Sequence, residues 1–189
     1  MKKIIMFLII AAFAFGMISC TSKEAPPEEA TAAPAAQFEM PTGTFNEKDM
    51  TFVHNGTTYP ISTDVKPLLN LFGTEYEEIV APSCAFVGED KQFVYSFATV
   101  YTYPDGDTDL INEIYIFGGD YKTSRGVGIG STIDEVKAAY GDAGFEQGNS
   151  YVYVVSGNID DTMSQRLYFD FTDGKVSGFS YYGANGVLQ

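Results

Sequence analysis

The sequence has no tryptophan, a single histidine, two cysteines and few basic residues, with 11 Lys and Arg against 25 Asp and Glu. Two cysteines cannot build a disulfide-stapled scaffold. The shortage of positive charge argues against nucleic acid as a partner, because no basic surplus exists to neutralise phosphates. The motifs G-x-S-x-G, H-E-x-x-H and C-x-x-C are absent. We therefore expect a protein that is not an enzyme; a hydrolase built on carboxylates is the alternative, although no carboxylate pair stands out for general acid/base chemistry.

The first 20 residues have the layout of a secretory signal, with Lys2 and Lys3 followed by an apolar run that is too short for a comfortable membrane span. The four residues that end in Cys20 resemble the bacterial lipobox, in which the cysteine is acylated and becomes the mature N-terminus. This resemblance implies a signal peptide at 1–19 and a lipid anchor on Cys20, with acyl chains such as palmitate. We expect the protein to be held at the cell membrane or the outer membrane, facing away from the cytoplasm.

Residues 20–43 follow the signal and are rich in Ala, Pro and Glu, with almost no large apolar side chains. Such a segment cannot bury enough surface to offset the entropy of ordering, so it is predicted to be a flexible linker. The remainder, 44–189, is predicted to form the folded domain. Within it Cys84 lies between apolar stretches, which favours a buried thiol.

The folded region contains an internal repeat, because residues 61–73 and 129–141 align at a spacing of 68 residues. In each copy apolar residues recur at the spacing of one helical face, and the segment ends at a glycine. Both copies also begin with Ser or Thr residues that can cap a first turn. The apolar positions are Val65, Leu68 and Phe72 in the first copy and Ile133, Val136 and Tyr140 in the second.

A hairpin signal follows each predicted helix at the same spacing, at Asp105-Gly106 and at Asp173-Gly174. Apolar and polar residues alternate on both sides of these turns, as strands require, while 74–90 and 156–165 are predicted to be loops. Another hairpin is predicted around Asn55-Gly56. The sequence thus predicts an α+β domain: a tandem repeat of a short helix plus antiparallel strands, with about 51–121 as repeat 1 and about 122–189 as repeat 2. The helices are expected to pack on one face of a shared antiparallel sheet.

This tandem unit, and residues 129–141 above all, resembles the β-lactamase-inhibitor-protein-like architecture and the small outer-membrane assembly lipoproteins of the SmpA/OmlA type. The segment around Cys84 and the following Tyr-Thr-Tyr-Pro-Asp-Gly run are also similar to uncharacterised cell-surface lipoproteins. The resemblance implies a noncatalytic protein that presents a sheet face to another protein. Its motifs are structural, so no inhibitory residue is carried over.

Tyrosines supply the candidate binding surface, because strand alternation places them in pairs on shared faces. The opposite positions, which include Leu110, Ile114 and Val152, are the expected core. Tyrosine offers a large contact area at low entropic cost. If the helices cover the aliphatic face, the tyrosine face is free to bind an envelope or extracellular protein or peptide; half-buried tyrosines that complete a core are the alternative. The candidate binding residues are Tyr101, Tyr103, Tyr115, Tyr151 and Tyr153.

Three alternate carboxylates at the first hairpin, Asp105, Asp107 and Asp109, form a weaker candidate site. Carboxylate oxygens suit a hard cation such as Ca²⁺, although the segment fails the EF-hand pattern at its sixth and twelfth positions. An envelope sensor of Ca²⁺ or of a small ligand is therefore the alternative function. A solvated turn in an acidic protein is the other interpretation of these residues.

Overall fold

The computed structural model describes residues 41–184. It consists mostly of antiparallel sheet with two short helices, so its class is α+β or β-rich. The predicted signal peptide, Cys20 and most of the linker lie outside the described residues. In chain order the elements are a one-turn 3₁₀ helix (Glu47–Asp49), β1 (Thr51–His54), β2 (Thr57–Pro60), α1 (Lys66–Phe72), β3 (Glu77–Pro82), β4 (Glu89–Val94), β5 (Ala98–Asp105), β6 (Thr108–Ile116), α2 (Ile133–Tyr140), β7 (Phe145–Gln147), β8 (Ser150–Val154), β9 (Arg166–Thr172) and β10 (Lys175–Tyr182).

The strands form a two-stranded sheet, β1 with β2, and an eight-stranded sheet in the order β3-β4-β5-β6-β10-β9-β8-β7. All described strand pairs are antiparallel. Strands β3 to β6 follow α1 and strands β7 to β10 follow α2, and the two groups meet along one seam. At this seam β6 pairs with β10 over four residue pairs, from Glu113 opposite Tyr182 to Ile116 opposite Phe179.

The three predicted hairpin turns are confirmed. Asn55 and Asp173 both have a positive φ, and so does the glycine that follows each of them. Gly106 also has a positive φ, at the turn between β5 and β6. These left-handed conformations cost little at Asn, Asp and Gly, so the turn chemistry fixes where each strand reverses.

The two helices confirm the helical spacing but begin differently. Thr132 caps α2 and forms a capping box with Glu135, as Ser or Thr at this position favours. The expected Ser or Thr cap on α1 is wrong: Val65 occupies the N-cap position and makes no side-chain cap, and the Lys66 N–H instead donates to the Asp64 carboxylate at 3.0 Å. Both helices end at a glycine with a positive φ, Gly73 and Gly141. Glycine adopts this conformation without steric cost because it has no Cβ.

Matching contacts tie each helix to the sheet. The hydroxyl of Tyr95 donates a hydrogen bond to the carbonyl of Gly73 at 3.1 Å, and that of Tyr153 donates to the carbonyl of Gly141 at 2.6 Å. Ahead of α1, the Ser62 N–H donates to the Ile111 carbonyl on β6. Ahead of α2, the Gly130 N–H donates to the Val176 carbonyl on β10. Both bonds have a length of 2.8 Å.

One hydrophobic cluster contains the buried residues of both helices and of alternate positions along the strands. Aromatic residues make up nearly half of its buried members, and Phe52 on β1 packs among several of these rings. The Phe52 ring centroid is 5.9 Å from that of Phe72 on α1 and 6.3 Å from that of Tyr181 on β10. The short β1-β2 hairpin therefore packs against both α1 and the eight-stranded sheet.

A buried ion pair fixes the start of the domain. Arg125 donates to both carboxylate oxygens of Asp49, at 2.6 and 2.7 Å, and to the carbonyls of Gly43 and Ala139. The Asp49 side chain is fully buried. The guanidinium also lies over the Tyr140 ring, so one side chain joins the first described residues to α2.

The region 74–90 is not the loop that was predicted, because it contains β3 and the start of β4. All six residues of β3 are exposed, since this strand forms one edge of the eight-stranded sheet. A strand exposed on both sides shows no alternation of polar and apolar residues, which explains the error. The predicted burial of Cys84 is also wrong: it is a free, exposed thiol in the turn between β3 and β4.

Among residues 41–184 there is no helix of sufficient length and apolar character to span a membrane.

Candidate functional site

Strand register divides the residues of the eight-stranded sheet between two faces. Val100 lies opposite Ile114, and Ile114 lies opposite Tyr181. All three are fully buried and belong to the hydrophobic cluster, so we call their side the core face. The neighbouring positions alternate to the other side, which we call the second face.

Two of the five candidate tyrosines do not belong to an accessible surface. Tyr151 and Tyr153 lie on the core face and are 5% and 1% exposed. The prediction that they form a binding surface is therefore wrong. Alternation shows which residues share a face but does not show which face is inward, and in β8 residues of both faces are apolar and buried. Val152, expected in the core with Ile114, lies on the second face and is nevertheless buried.

Tyr101, Tyr103 and Tyr115 lie on the second face, as the alternation predicted. Tyr103 is nevertheless buried as well, at 7% exposed, because the Phe86 ring stacks on it with centroids 4.8 Å apart, so the prediction that it belongs to an accessible binding surface is also wrong. Opposite it is Leu110, which was expected in the core. A bulge at Asn112 changes the register of β6, so Ile111 takes the core position and Leu110 moves to the second face.

The half-buried part of the second face is a group of four tyrosines and two carboxylates around the β6-β10 seam. Tyr115 lies opposite Ser180 on β10, and Ser180 lies opposite Tyr168 on β9. Tyr182 lies opposite Glu113, which in turn lies opposite Tyr101 on β5. We call this group the tyrosine–carboxylate patch, and its members are Tyr101, Glu113, Tyr115, Tyr168, Asp170 and Tyr182.

Sequence reasoning had placed Glu113 beside Tyr115 but had not included it in the site, and it missed Tyr168, Asp170 and Tyr182. The same alternation rule, applied to β9 and β10, would have shown which residues of each strand share a face with Tyr168 and with Tyr182. The pairing of β6 with β10, which brings Glu113 and Asp170 together, has no local signal in the sequence.

The two carboxylates accept hydrogen bonds from neutral hydroxyl groups. Glu113 accepts from the Ser180 hydroxyl, and Asp170 accepts from the Ser150 hydroxyl. Burial raises the pKa of Glu113, the bond from Ser180 opposes that rise, and the nearby negative charge of Asp170 adds to it. The two acidic groups therefore interact unfavourably when both are ionised.

Tyr115 links the two strand groups at this site. An ideal Cβ built on Gly178 would lie 2.9 Å from both the Tyr115 ring and its hydroxyl, so the phenol rests directly on the Gly178 backbone. This close approach lets the Tyr115 hydroxyl reach Asp170, which lies opposite Gly178. Burial, followed by the charge and hydrogen bond of Asp170, raises the pKa of Tyr115 to about 12.

Arg166 is a basic residue on the same face, opposite Tyr182. Its Nη2 donates to the carbonyls of Ile159 and Asp161, both at 2.9 Å, and the side chain is buried. The guanidinium therefore holds the 156–165 loop against the sheet. In the described part of the chain the ion pairs are Lys91 with Asp109 and Arg125 with Asp49, so neither patch carboxylate belongs to one.

The acidic hairpin gives no support to a Ca²⁺ site. Asp109 pairs with Lys91 at 2.8 Å, while Asp105 and Asp107 are exposed. Between residues 41 and 184, no three His, Cys, Asp or Glu side chains are grouped so that they could hold a metal ion. A cavity of about 260 Å³ lies between the start of α2 and the β7-β8 turn, where Ile133, Ser150 and Phe171 line it. Its volume is slightly below that of common small-molecule pockets, about 300–1,000 Å³.

Comparison with protein-family models, with curated proteins and with solved structures gives no match for this chain.

Proposed function

We propose that this protein is a bacterial envelope lipoprotein whose folded domain binds another protein or a peptide through the second face of its sheet, without catalysing a reaction. The observation that carries the proposal is the tyrosine–carboxylate patch. Its six side chains are half-buried rather than packed into the core. They offer ring faces, hydroxyl groups and carboxylates over several adjacent strands, which is the composition of a recognition surface.

The proposal includes the repeat. We take the two halves to be copies of one unit, each a short helix followed by a four-stranded meander, with both helices on the core face. The paired contacts of Tyr95 with Gly73 and of Tyr153 with Gly141 support this reading, as do the equivalent bonds ahead of each helix. In this arrangement the second face is left to a partner.

Membrane attachment is the other part of the proposal. A signal peptide at 1–19, an acylated Cys20 and a flexible linker at 20–43 would tether the domain on the outer side of the cell membrane or at the outer membrane. Replacing Cys20 with alanine tests this directly. In cells fed labelled palmitate the unmodified protein should carry the label and the variant should not, and label on the variant would contradict acylation at Cys20.

Site-specific photo-crosslinking in cells tests the recognition surface. A benzoyl-phenylalanine at Tyr168 in the full-length chain replaces one aromatic residue of the patch with another. The matched control carries the same group at Lys66, an exposed residue of α1. We expect a discrete crosslinked protein from position 168 that is absent from position 66. Equal adducts from both positions, or none from position 168, would overturn the proposed function.

A further inference from the structure

The tyrosine–carboxylate patch has negative charge that no cation of the described chain neutralises. Glu113 accepts a hydrogen bond from Ser180 and Asp170 accepts one from Ser150, and both donors are neutral. Resting on the proposed function of the second face, we infer that the partner is basic: a segment that inserts an arginine or lysine side chain between Glu113 and Asp170, against the surrounding tyrosine rings.

Electrostatics on the patch favours a cation. Burial desolvates the Glu113 carboxylate and the negative charge of Asp170 acts on it, so ionising Glu113 is costly. A guanidinium or ammonium group between them would relieve this repulsion and would replace the lost solvation with charge-assisted hydrogen bonds. The formal charge of the whole chain, −14, would also attract a basic partner from a distance.

The rings around the carboxylates suit the same ligand. The face of a tyrosine ring attracts a cation that lies within about 6 Å of its centroid. Between residues 41 and 184 the protein already uses this contact twice, with Arg125 at 4.9 Å from the Tyr140 ring and Lys137 at 5.0 Å from the Tyr151 ring. Those two cations belong to the chain itself, whereas the patch presents its rings with no lysine or arginine placed over them among the described residues.

Arg166 does not satisfy the patch. Its Nη2 is held by the carbonyls of Ile159 and Asp161, and its Nε is buried without a hydrogen-bond partner. The side chain is therefore committed to the 156–165 loop. A cation for Glu113 and Asp170 has to come from outside the described chain.

Binding of defined peptides to the full-length protein in a neutral detergent tests the inference. The probe is a fluorescent Gly/Ser peptide that carries arginines, and its matched partner carries citrulline, which has nearly the same shape without the charge. We expect the arginine peptide to bind at least about tenfold more tightly than the citrulline peptide. The double variant Glu113→Gln with Asp170→Asn should lose at least about tenfold in affinity for the arginine peptide.

The matched control removes the same two charges from the exposed hairpin, by Asp105→Asn with Asp107→Asn. If long-range attraction alone mattered, the two double variants would lose equal affinity for the arginine peptide. If a cation binds in the patch, the control variant should lose less than about twofold in this affinity. Equal losses, or equal binding of the two peptides, would overturn the inference. Melting temperatures verify that each variant is folded, and the single variants Glu113→Gln and Asp170→Asn replace the double variant if it does not fold.

The crosslinking experiment at Tyr168 separates this inference from the proposed function. It is repeated with Glu113→Gln and Asp170→Asn in the same chain. Loss of the adduct supports both proposals. If the adduct persists at full yield in these variants, the basic partner is refuted but the second face is still supported as a recognition surface. If the adduct is absent from the chain without these two substitutions, the recognition surface itself is refuted.

Discussion

Replacing Arg125 with methionine should destabilise the domain more than most single substitutions. Methionine preserves much of the side-chain bulk but removes two charge-assisted bonds to Asp49, at 2.6 and 2.7 Å, and the bonds to the Gly43 and Ala139 carbonyls. Asp49 is fully buried and would keep only the hydrogen bond from the Asn46 N–H. An unpaired buried carboxylate of this kind costs about 3–5 kcal/mol.

For a chain of this size, about 3–5 kcal/mol corresponds to a fall in melting temperature of roughly 6–20 °C. Urea unfolding followed by circular dichroism gives the free energy of unfolding, and calorimetry gives the melting temperature. Lys122→Met is the matched control, because it removes an exposed cation and should change the free energy of unfolding by less than about 0.5 kcal/mol.

A double-mutant cycle completes the test. Asp49→Asn combined with Arg125→Met leaves no buried charge at the site, so the double variant should lose less stability than the two single variants lose in total. A cost of less than about 1 kcal/mol for Arg125→Met, or additive effects of the two substitutions, would show that the ion pair does not fix the start of the domain.

Three further predictions concern the second face and the turn that follows β3. Gly178→Ala should destabilise the protein by about 1–3 kcal/mol in urea unfolding, because the new Cβ would overlap the Tyr115 ring; an unchanged midpoint would show that the ring moves aside freely. Because the folded-state pKa of Glu113 is raised above its ordinary value of 4.5, the stability that it contributes is present below that value and is lost as the pH rises through the folded-state pKa. Between pH 4 and pH 7 the free energy of unfolding of Glu113→Gln should therefore rise relative to that of the unmodified protein. A difference between the two proteins that does not change with pH would contradict the raised pKa. Cys84 should react with a thiol reagent in the native protein as completely as in urea, since it is exposed, whereas protection in the native state would place it in a buried site.

Local signals explain the parts of the fold that could be predicted from the sequence. The turns at Asn55, Gly106 and Asp173 depend on conformations that only a few residue types adopt readily, and the structure has all three. The helices likewise follow from apolar spacing and terminal glycines. Each of these features is decided within about ten residues, so no knowledge of the partner strands is needed.

The errors arise where distant residues decide the outcome. Tyr151 and Tyr153 share a face with each other, but whether that face is inward depends on what packs against it. Leu110 left the expected core because a bulge at Asn112 changed the register of β6 against β5. Glu113 and Asp170 come within electrostatic range of each other only through the seam between the two strand groups, which residue types do not specify.

The exposed edge of the sheet has a consequence for the protein at high concentration. Strand β3 presents unpaired backbone groups at the end of an eight-stranded sheet, and such an edge can template the addition of strands from other copies. Its sequence opposes that growth, because Glu77 and Glu78 bring negative charge to one end and Pro82 offers no N–H at the other. These residues therefore oppose strand addition between copies at high concentration, and replacing the two glutamates with valines would remove that protection.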